Sequence, residues 1–128
     1  YHAIIKDDCA YLTKILDMCW QHNMPVVITM LSLPGSRWNQ NNNNKDDLRI
    51  WNNKEYQLQA ALFWRDLAFV LKDHPAVVGY NLLNEPHPER LFDSTQVHIQ
   101  HVKQTEVQAM LYELYSLIIQ HIRTVDTK

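Results

Sequence analysis

Glycine and cysteine are scarce in this sequence, with only two of each among 128 residues. The cysteines, Cys9 and Cys19, lie ten positions apart within a helical pattern. Ten helical residues separate two side chains by about 15 Å, which excludes a disulfide between them. We therefore expect two buried free thiols.

Long apolar runs and an excess of charge of one sign are also missing. No apolar run reaches the ~18 residues of a membrane-spanning helix, and the formal net charge is only -2. These properties argue against a membrane protein and against nucleic-acid binding. A glycine-rich phosphate loop, a Gly-x-Ser-x-Gly elbow and a Cys-x-x-Cys pair are absent. We expect no cofactor and no metal.

Helical and extended patterns alternate along the chain. Three stretches have the apolar spacing of amphipathic helices, at 7–23, 55–72 and about 105–123. Two short, β-branched apolar runs, at 25–31 and 76–83, predict strands. Strands that alternate with helices predict an α/β fold with a parallel sheet, in the order helix, strand, helix, strand, helix.

Polar segments without periodicity follow both predicted strands, at about 32–54 and 87–104. Loops of this length inside a domain are often functional. Both follow the carboxyl ends of strands, where parallel α/β proteins place their sites. Thr105 and Gln108 form a possible capping box at the start of the third helix.

The apolar pattern predicts which residues form the core. Both strands are expected to be buried on both faces, and Gly79 is expected to allow close approach of another group. Trp20 and Trp64 are expected in the core, and Trp51 is expected to anchor the first loop. The apolar helix faces are Leu12, Ile15, Leu16 and Cys19; Ala60, Phe63, Trp64, Leu67 and Leu71; and Val107, Met110, Leu111, Leu114 and Ile118.

The second predicted strand ends in the sequence YNLLNEPHPE, at 80–89. Asn84 and Glu85 stand at its tip, directly before Pro86. A carboxylate that a rigid scaffold holds in this place suits a general acid. The alternative is a helix-capping or loop carboxylate that faces water.

The neighbouring residues resemble a known enzyme family. The run HPAVVGYNLLNEP resembles the fourth strand of the (β/α)8 barrels of glycoside hydrolase family 5, and VVITMLSLPGSRW is similar to the third strand. The resemblance covers about residues 7–123 and implies a partial TIM (β/α)8 barrel. It implies that Glu85 is the general acid/base and that Asn84 binds the sugar 2-hydroxyl. Leu31 stands where the family usually has a His beside a sugar subsite.

The resemblance further implies a retaining glycoside hydrolase of β-linked glucan- or mannan-type polysaccharides or oligosaccharides, secreted or periplasmic. Retaining hydrolysis needs two carboxylates about 5–5.5 Å apart. The family's nucleophile lies on the seventh strand, and a complete barrel takes about 250 residues. We therefore expect 1–128 to be a single fragment of the catalytic domain, inactive alone, with the nucleophile outside this chain.

Other residues of the two loops are candidates for sugar binding. Trp38 could stack on a sugar ring, with Arg37 and Asn39 beside it as hydrogen-bonding groups. Alternatively, Trp38 fixes the loop to the rim of the barrel. His87 directly follows the Asn-Glu-Pro motif and is expected to line the site. The remaining acidic residues and histidines of the loops are expected to be solvated: Asp46, Asp47, Glu89, Asp93, His98 and His101.

Two other interpretations stay open. One is a non-catalytic carbohydrate-binding or scaffold relative, which Leu31 favours. The other is an unrelated small α/β domain, such as a flavodoxin-like fold, with a coincidental Asn-Glu-Pro. In a partial barrel, two parallel strands leave both sheet edges unpaired, so we expect self-association through those edges.

Overall fold

Three helices and two strands alternate along the chain in the predicted order. A computed structural model of the protein describes residues 4–92 and 101–127, with the backbone alone for 101–103. The elements are α1 (Lys6–Gln21), β1 (Val26–Thr29), α2 (Lys54–Leu71), β2 (Val77–Asn81) and α3 (His101–Arg123). The fold is of the α/β class. None of these helices combines the length and the hydropathy needed to cross a bilayer.

The two strands pair in parallel, as the sequence predicts. Val26 lies opposite Val77, and Thr29 lies opposite Asn81. The hydrogen-bonded ladder continues past both strands, because the Met30 N–H donates to the Asn81 carbonyl at 3.1 Å. The Asn84 N–H then donates to the Met30 carbonyl at 2.8 Å. These bonds fix the two strand ends, and the residues after them, against each other.

Helices α2 and α3 pack against each other and form much of the core. Trp64 of α2 is 0% exposed, as are Leu114 and Ile118 of α3. The Trp64 indole N–H donates to the Leu82 carbonyl at 3.0 Å, just after β2. The predicted apolar faces of α2 and α3 are thus confirmed at their central positions.

Several apolar side chains that the sequence places in the core are exposed. Val27 is 55% exposed and Val78 is 63% exposed, so the strands are not buried on both faces. Trp20 and Ile15 are 53% and 57% exposed, so their assignment to the core is wrong. Burial of a second sheet face needs a further layer, and within residues 4–92 and 101–127 no element covers that face.

Two smaller predictions are also wrong, and a third, that of two buried free thiols, is right only in that the thiols are free. A Cβ added to Gly79 would lie an ordinary 3.9 Å from Val27 Cγ2, so this glycine marks no close approach. Cys9 and Cys19 are free but half-buried. Thr105 lies inside α3, which includes residues from His101 onwards, so it is not the N-cap of that helix.

Both predicted loops contain short 3-10 helices. We call residues 30–53 the first loop; it contains Asn39–Asn41 and Arg49–Trp51, and an antiparallel bridge joins Arg37 to Asp47. We call residues 82–92 the second loop, which contains Pro88–Leu91. The rest of the predicted second loop up to residue 100, with Asp93 and His98, lies outside the described residues.

Candidate active site

The first and second loops meet beyond the carboxyl ends of the strands and line one small pocket. Arg37, Trp38 and Asp46 come from the first loop, and Glu85 and His87 come from the second. This pocket is open to solvent on one side, and its volume of about 20 Å³ has room for a water molecule but not for a sugar ring. Any sugar would therefore bind at the open mouth of this pocket.

Glu85 has an unusual backbone conformation. Its φ is 47°, in the left-handed region that non-glycine residues seldom adopt. The following Pro86 disfavours helical conformations further. Leu83, 4% exposed, and the Asn84 N–H bond to the Met30 carbonyl hold the chain just before this position. The turn leaves the Glu85 side chain exposed where it lines the pocket.

Trp38 connects the two loops through its ring. The Arg90 guanidinium carbon lies 4.4 Å from the Trp38 ring centroid, which is a cation–π contact. The His87 ring meets Trp38 edge-on, with centroids 4.9 Å apart and planes at 76°. His87 Nδ1 also lies 2.5 Å from Glu89 Oε1. Both aromatic residues predicted for the site are therefore in mutual contact.

Asp46 accepts hydrogen bonds from both loops. Its Oδ2 receives Arg90 Nη1 at 2.7 Å, and its Oδ1 receives the Asn39 backbone N–H at 2.8 Å. The Asp46 side chain is only 23% exposed. The prediction of a solvated loop charge is wrong here, because an arginine 44 positions away in the chain neutralises it.

Asp47 is also paired rather than freely solvated. Its two carboxylate oxygens accept the Arg49 Nε and Nη2 at 2.9 Å each, and the Asp47 side chain is 15% exposed. Hydrogen bonds from the Arg49 side chain hold the pKa of Asp47 below its usual range. This pair could have been predicted from the sequence, because Arg49 lies only two positions after Asp47.

The structure brings four of the six predicted site residues together. Arg37, Trp38, Glu85 and His87 all line the pocket. Asn84 and Asn39 do not line it, although both lie beside it in the chain, and their binding roles stay predictions. Sequence reasoning missed Arg90 as a lining residue, because no local pattern links it to the first loop.

Two further predictions concern the surroundings of the pocket. Trp51 is 4% exposed and lines the same pocket, which confirms it as a loop anchor. Leu31, which stands where the resemblance implies a His, is 66% exposed and does not line the pocket. Among the residues that the structure describes, no group of three or more acidic, histidine or cysteine side chains could hold a metal ion.

Comparison with curated proteins finds a partial similarity. Over 81 residues the chain is 30% identical to a beta-xylosidase of Phanerodontia chrysosporium. The matched stretch is 59% of this chain but only 16% of that protein, so the chain spans a small part of this relative. No family model matches the chain, and no solved structure matches it. The similarity suggests a glycoside hydrolase.

Proposed function

We propose that this chain is part of a retaining glycoside hydrolase of family 5, with Glu85 as its general acid/base. The observation that carries the proposal is the position of Glu85, at the joined ends of two parallel strands and on a pocket with Arg37 and His87. Parallel α/β enzymes bind substrates at this end of the sheet. In this proposal β1 and β2 are the third and fourth strands of a (β/α)8 barrel.

The proposed reaction has two steps. Glu85 first donates its proton to the glycosidic oxygen, while a second carboxylate attacks the sugar. Glu85 then removes a proton from water, which hydrolyses the glycosyl intermediate. Asp46 and Asp47 line the same pocket, but Arg90 and Arg49 engage both of their carboxylates. We therefore assign the nucleophile to a residue outside this chain.

The proposed substrates are β-linked oligosaccharides or polysaccharides of the glucan or mannan type. The partial similarity to a beta-xylosidase adds β-xylosides to the substrates to be tested. In the proposal Asn84 hydrogen-bonds the sugar 2-hydroxyl, and Arg37 and Asn39 hydrogen-bond other hydroxyls. A non-catalytic carbohydrate-binding relative is the second candidate, because an exposed Leu31 replaces the histidine that the resemblance places there.

The experiment compares the longest polypeptide that carries this sequence with its Glu85→Gln variant. Substrates are β-glucan, mannan and the aryl β-glucoside, β-mannoside and β-xyloside. We expect Glu85→Gln to lower kcat on polysaccharides by roughly 10²–10⁴-fold, as expected for loss of an acid/base. Glu113→Gln is the control, since Glu113 is a 60% exposed carboxylate on α3.

Each outcome decides between the candidates. Equal turnover by Glu85→Gln and the unaltered protein would exclude Glu85 as the acid/base. Oligosaccharide binding without any hydrolysis would favour the non-catalytic candidate. Hydrolysis that Glu85→Gln abolishes and Glu113→Gln leaves unchanged would support the proposal.

A further inference from the structure

We propose that Arg90 is a positioning residue that holds Trp38 and the first loop beside Glu85. We call Arg90, together with Trp38 and Asp46, the Arg90 clamp. In this proposal, which rests on the function proposed above, Trp38 places the loop and does not stack on sugar through the ring face that Arg90 covers. The clamp thus favours the positioning role of Trp38 over the stacking role, the two roles that the sequence leaves open.

The contacts of Arg90 join the two loops through one side chain. Its guanidinium carbon lies 4.4 Å from the Trp38 ring centroid, and its Nη1 lies 2.7 Å from Asp46 Oδ2. A guanidinium at this distance occupies one face of the indole, so a sugar ring cannot stack on the same face. The Arg90 and Asp46 side chains are 38% and 23% exposed, so water only partly screens their attraction.

The clamp also contacts the backbone of the first loop and a residue near Glu85 in the second loop. Asp46 Oδ1 accepts the Asn39 N–H at 2.8 Å, which ties the clamp to the backbone next to Trp38. In the second loop, the Trp38 ring meets the ring of His87, two residues after Glu85, with the centroids 4.9 Å apart. Loss of Arg90 would therefore shift the first loop relative to Glu85. A shift of about 1 Å can cost about 10²-fold in rate.

The two roles of Trp38 predict different kinetics. If Trp38 positions the loop, removal of Arg90 lowers kcat and leaves KM nearly unchanged. If Trp38 is a stacking platform, Trp38→Ala raises KM, while Arg90→Ala uncovers a ring face and does not weaken binding. Because Arg90 and Asp46 act as a unit, the positioning role also predicts that their variants are not additive.

The test uses Arg90→Ala, Arg90→Lys, Asp46→Asn and the Asp46→Asn/Arg90→Ala double variant in the polypeptide that shows hydrolysis. We expect each of the Ala and Asn variants to lower kcat roughly 10- to 100-fold with KM within about twofold. We expect the double variant to match the single ones. Arg90→Lys should be intermediate, because lysine keeps the ion pair but not the planar stacking.

Lys54→Met is the matched control. Lys54 forms an ion pair with Glu113 that is 2.7 Å long, as is the pair between Arg90 and Asp46, and that also joins distant parts of the chain. The Lys54 pair lies outside the pocket. We expect Lys54→Met to leave kcat unchanged. Additive losses in the double variant, or an unchanged kcat in Arg90→Ala whatever its KM, would overturn the proposal.

A second readout does not depend on activity. In protein labelled with 5-fluorotryptophan, the Trp38 ¹⁹F resonance is assigned from its loss in Trp38→Phe. Arg90→Ala and Asp46→Asn should both shift it, and the buried Trp64 resonance should stay in place. An unshifted Trp38 resonance would overturn the clamp even in an active enzyme. Shifted resonances in a polypeptide long enough for a complete barrel, about 250 residues, that shows no hydrolysis would support the clamp and reject the proposed function.

Discussion

At the scale of single residues, Glu85 combines an exposed carboxylate with a strained backbone. Its φ of 47° lies in the left-handed region, which is unfavourable for a residue other than glycine. The proline that follows restricts the backbone of Glu85 further. Such strain persists only where neighbouring contacts enforce it. Buried Leu83 on one side and buried Pro88 on the other supply those contacts. The packing of the second loop therefore imposes this backbone conformation on Glu85.

We expect Glu85→Gly to be more stable than Glu85→Ala by about 1 kcal/mol, because glycine adopts positive φ without steric cost. Urea unfolding of the two variants measures the difference. Glu85→Asn should lie between them, since asparagine tolerates this region better than alanine. A Glu85→Ala variant as stable as Glu85→Gly would show that the backbone is not strained at this residue.

The two glycines give a second, matched comparison. A Cβ on Gly35, where φ is 75°, would lie 2.7 Å from Tyr56 Cγ and 3.0 Å from the Ile50 nitrogen. We expect Gly35→Ala to lower the free energy of unfolding by roughly 2–4 kcal/mol, from left-handed strain and overpacking. The Cβ that Gly79→Ala adds would contact only Val27, at 3.9 Å. We expect this substitution to raise the free energy of unfolding by about 0.5 kcal/mol. Equal effects in thermal or urea unfolding would contradict this pair.

At the scale of elements, a hydrogen bond ties β2 to the segment after α3. The Tyr80 hydroxyl donates to Asp126 Oδ2 at 2.8 Å, and Asp126 is 3% exposed. Burial, and then the bond to Asp126, raises the pKa of Tyr80 above its usual value. Tyr80 also packs against Trp64, with ring centroids 5.6 Å apart. The C-terminal segment thus helps to hold the strand that ends at the candidate site.

This bond predicts a stability that depends on pH. Above about pH 10 an unfolded tyrosine loses its proton while folded Tyr80 keeps it, so the free energy of unfolding should fall as the pH rises. We expect Tyr80→Phe to be less stable than the unaltered protein by about 1–2 kcal/mol at pH 8. Between pH 9 and 11 its free energy of unfolding should fall less than that of the unaltered protein. Tyr112→Phe is the control, because Tyr112 is 76% exposed. Identical alkaline profiles for both variants would contradict the prediction.

Much of the element order could be predicted because helices and strands leave local periodic signals. The predicted helix at 55–72 agrees with Lys54–Leu71 to within one residue at each end. Exposure of Val27, Val78 and Trp20 could not be predicted, because burial depends on which other layers cover a face. The contact of Arg90 with Asp46 was also unpredictable, since it joins two loops 44 positions apart.

At the scale of the whole molecule, one face of the two-stranded sheet is exposed to solvent in the described part of the chain. In the described part of the chain, neither outer strand edge pairs with a further strand. Val78 and Val27, on the strands, and Leu31, just after β1, are 63%, 55% and 66% exposed. Unpaired edges beside exposed apolar side chains favour pairing with another chain. In the barrel that we propose, further strands outside this chain would cover the same surface.

We expect the 128-residue chain alone to self-associate as its concentration rises, through these strand edges. Val78→Lys should weaken the association about tenfold or more, because it replaces the burial of a valine. Val70→Lys is the matched control, since Val70 is a 46% exposed valine on α2. Light scattering across a concentration series checks this. A strictly monomeric mass at high concentration would contradict it.

The pairing of Val26 with Val77 also sets the order in which the molecule can assemble. The partners are 51 positions apart, so closing the intervening chain costs about 3.5 kcal/mol of entropy before the ladder forms. Parallel pairing of this kind is slow compared with the formation of helices. Glu85 follows the second strand, so it meets the first loop only once the two strands pair, and we expect the pocket to form late in folding.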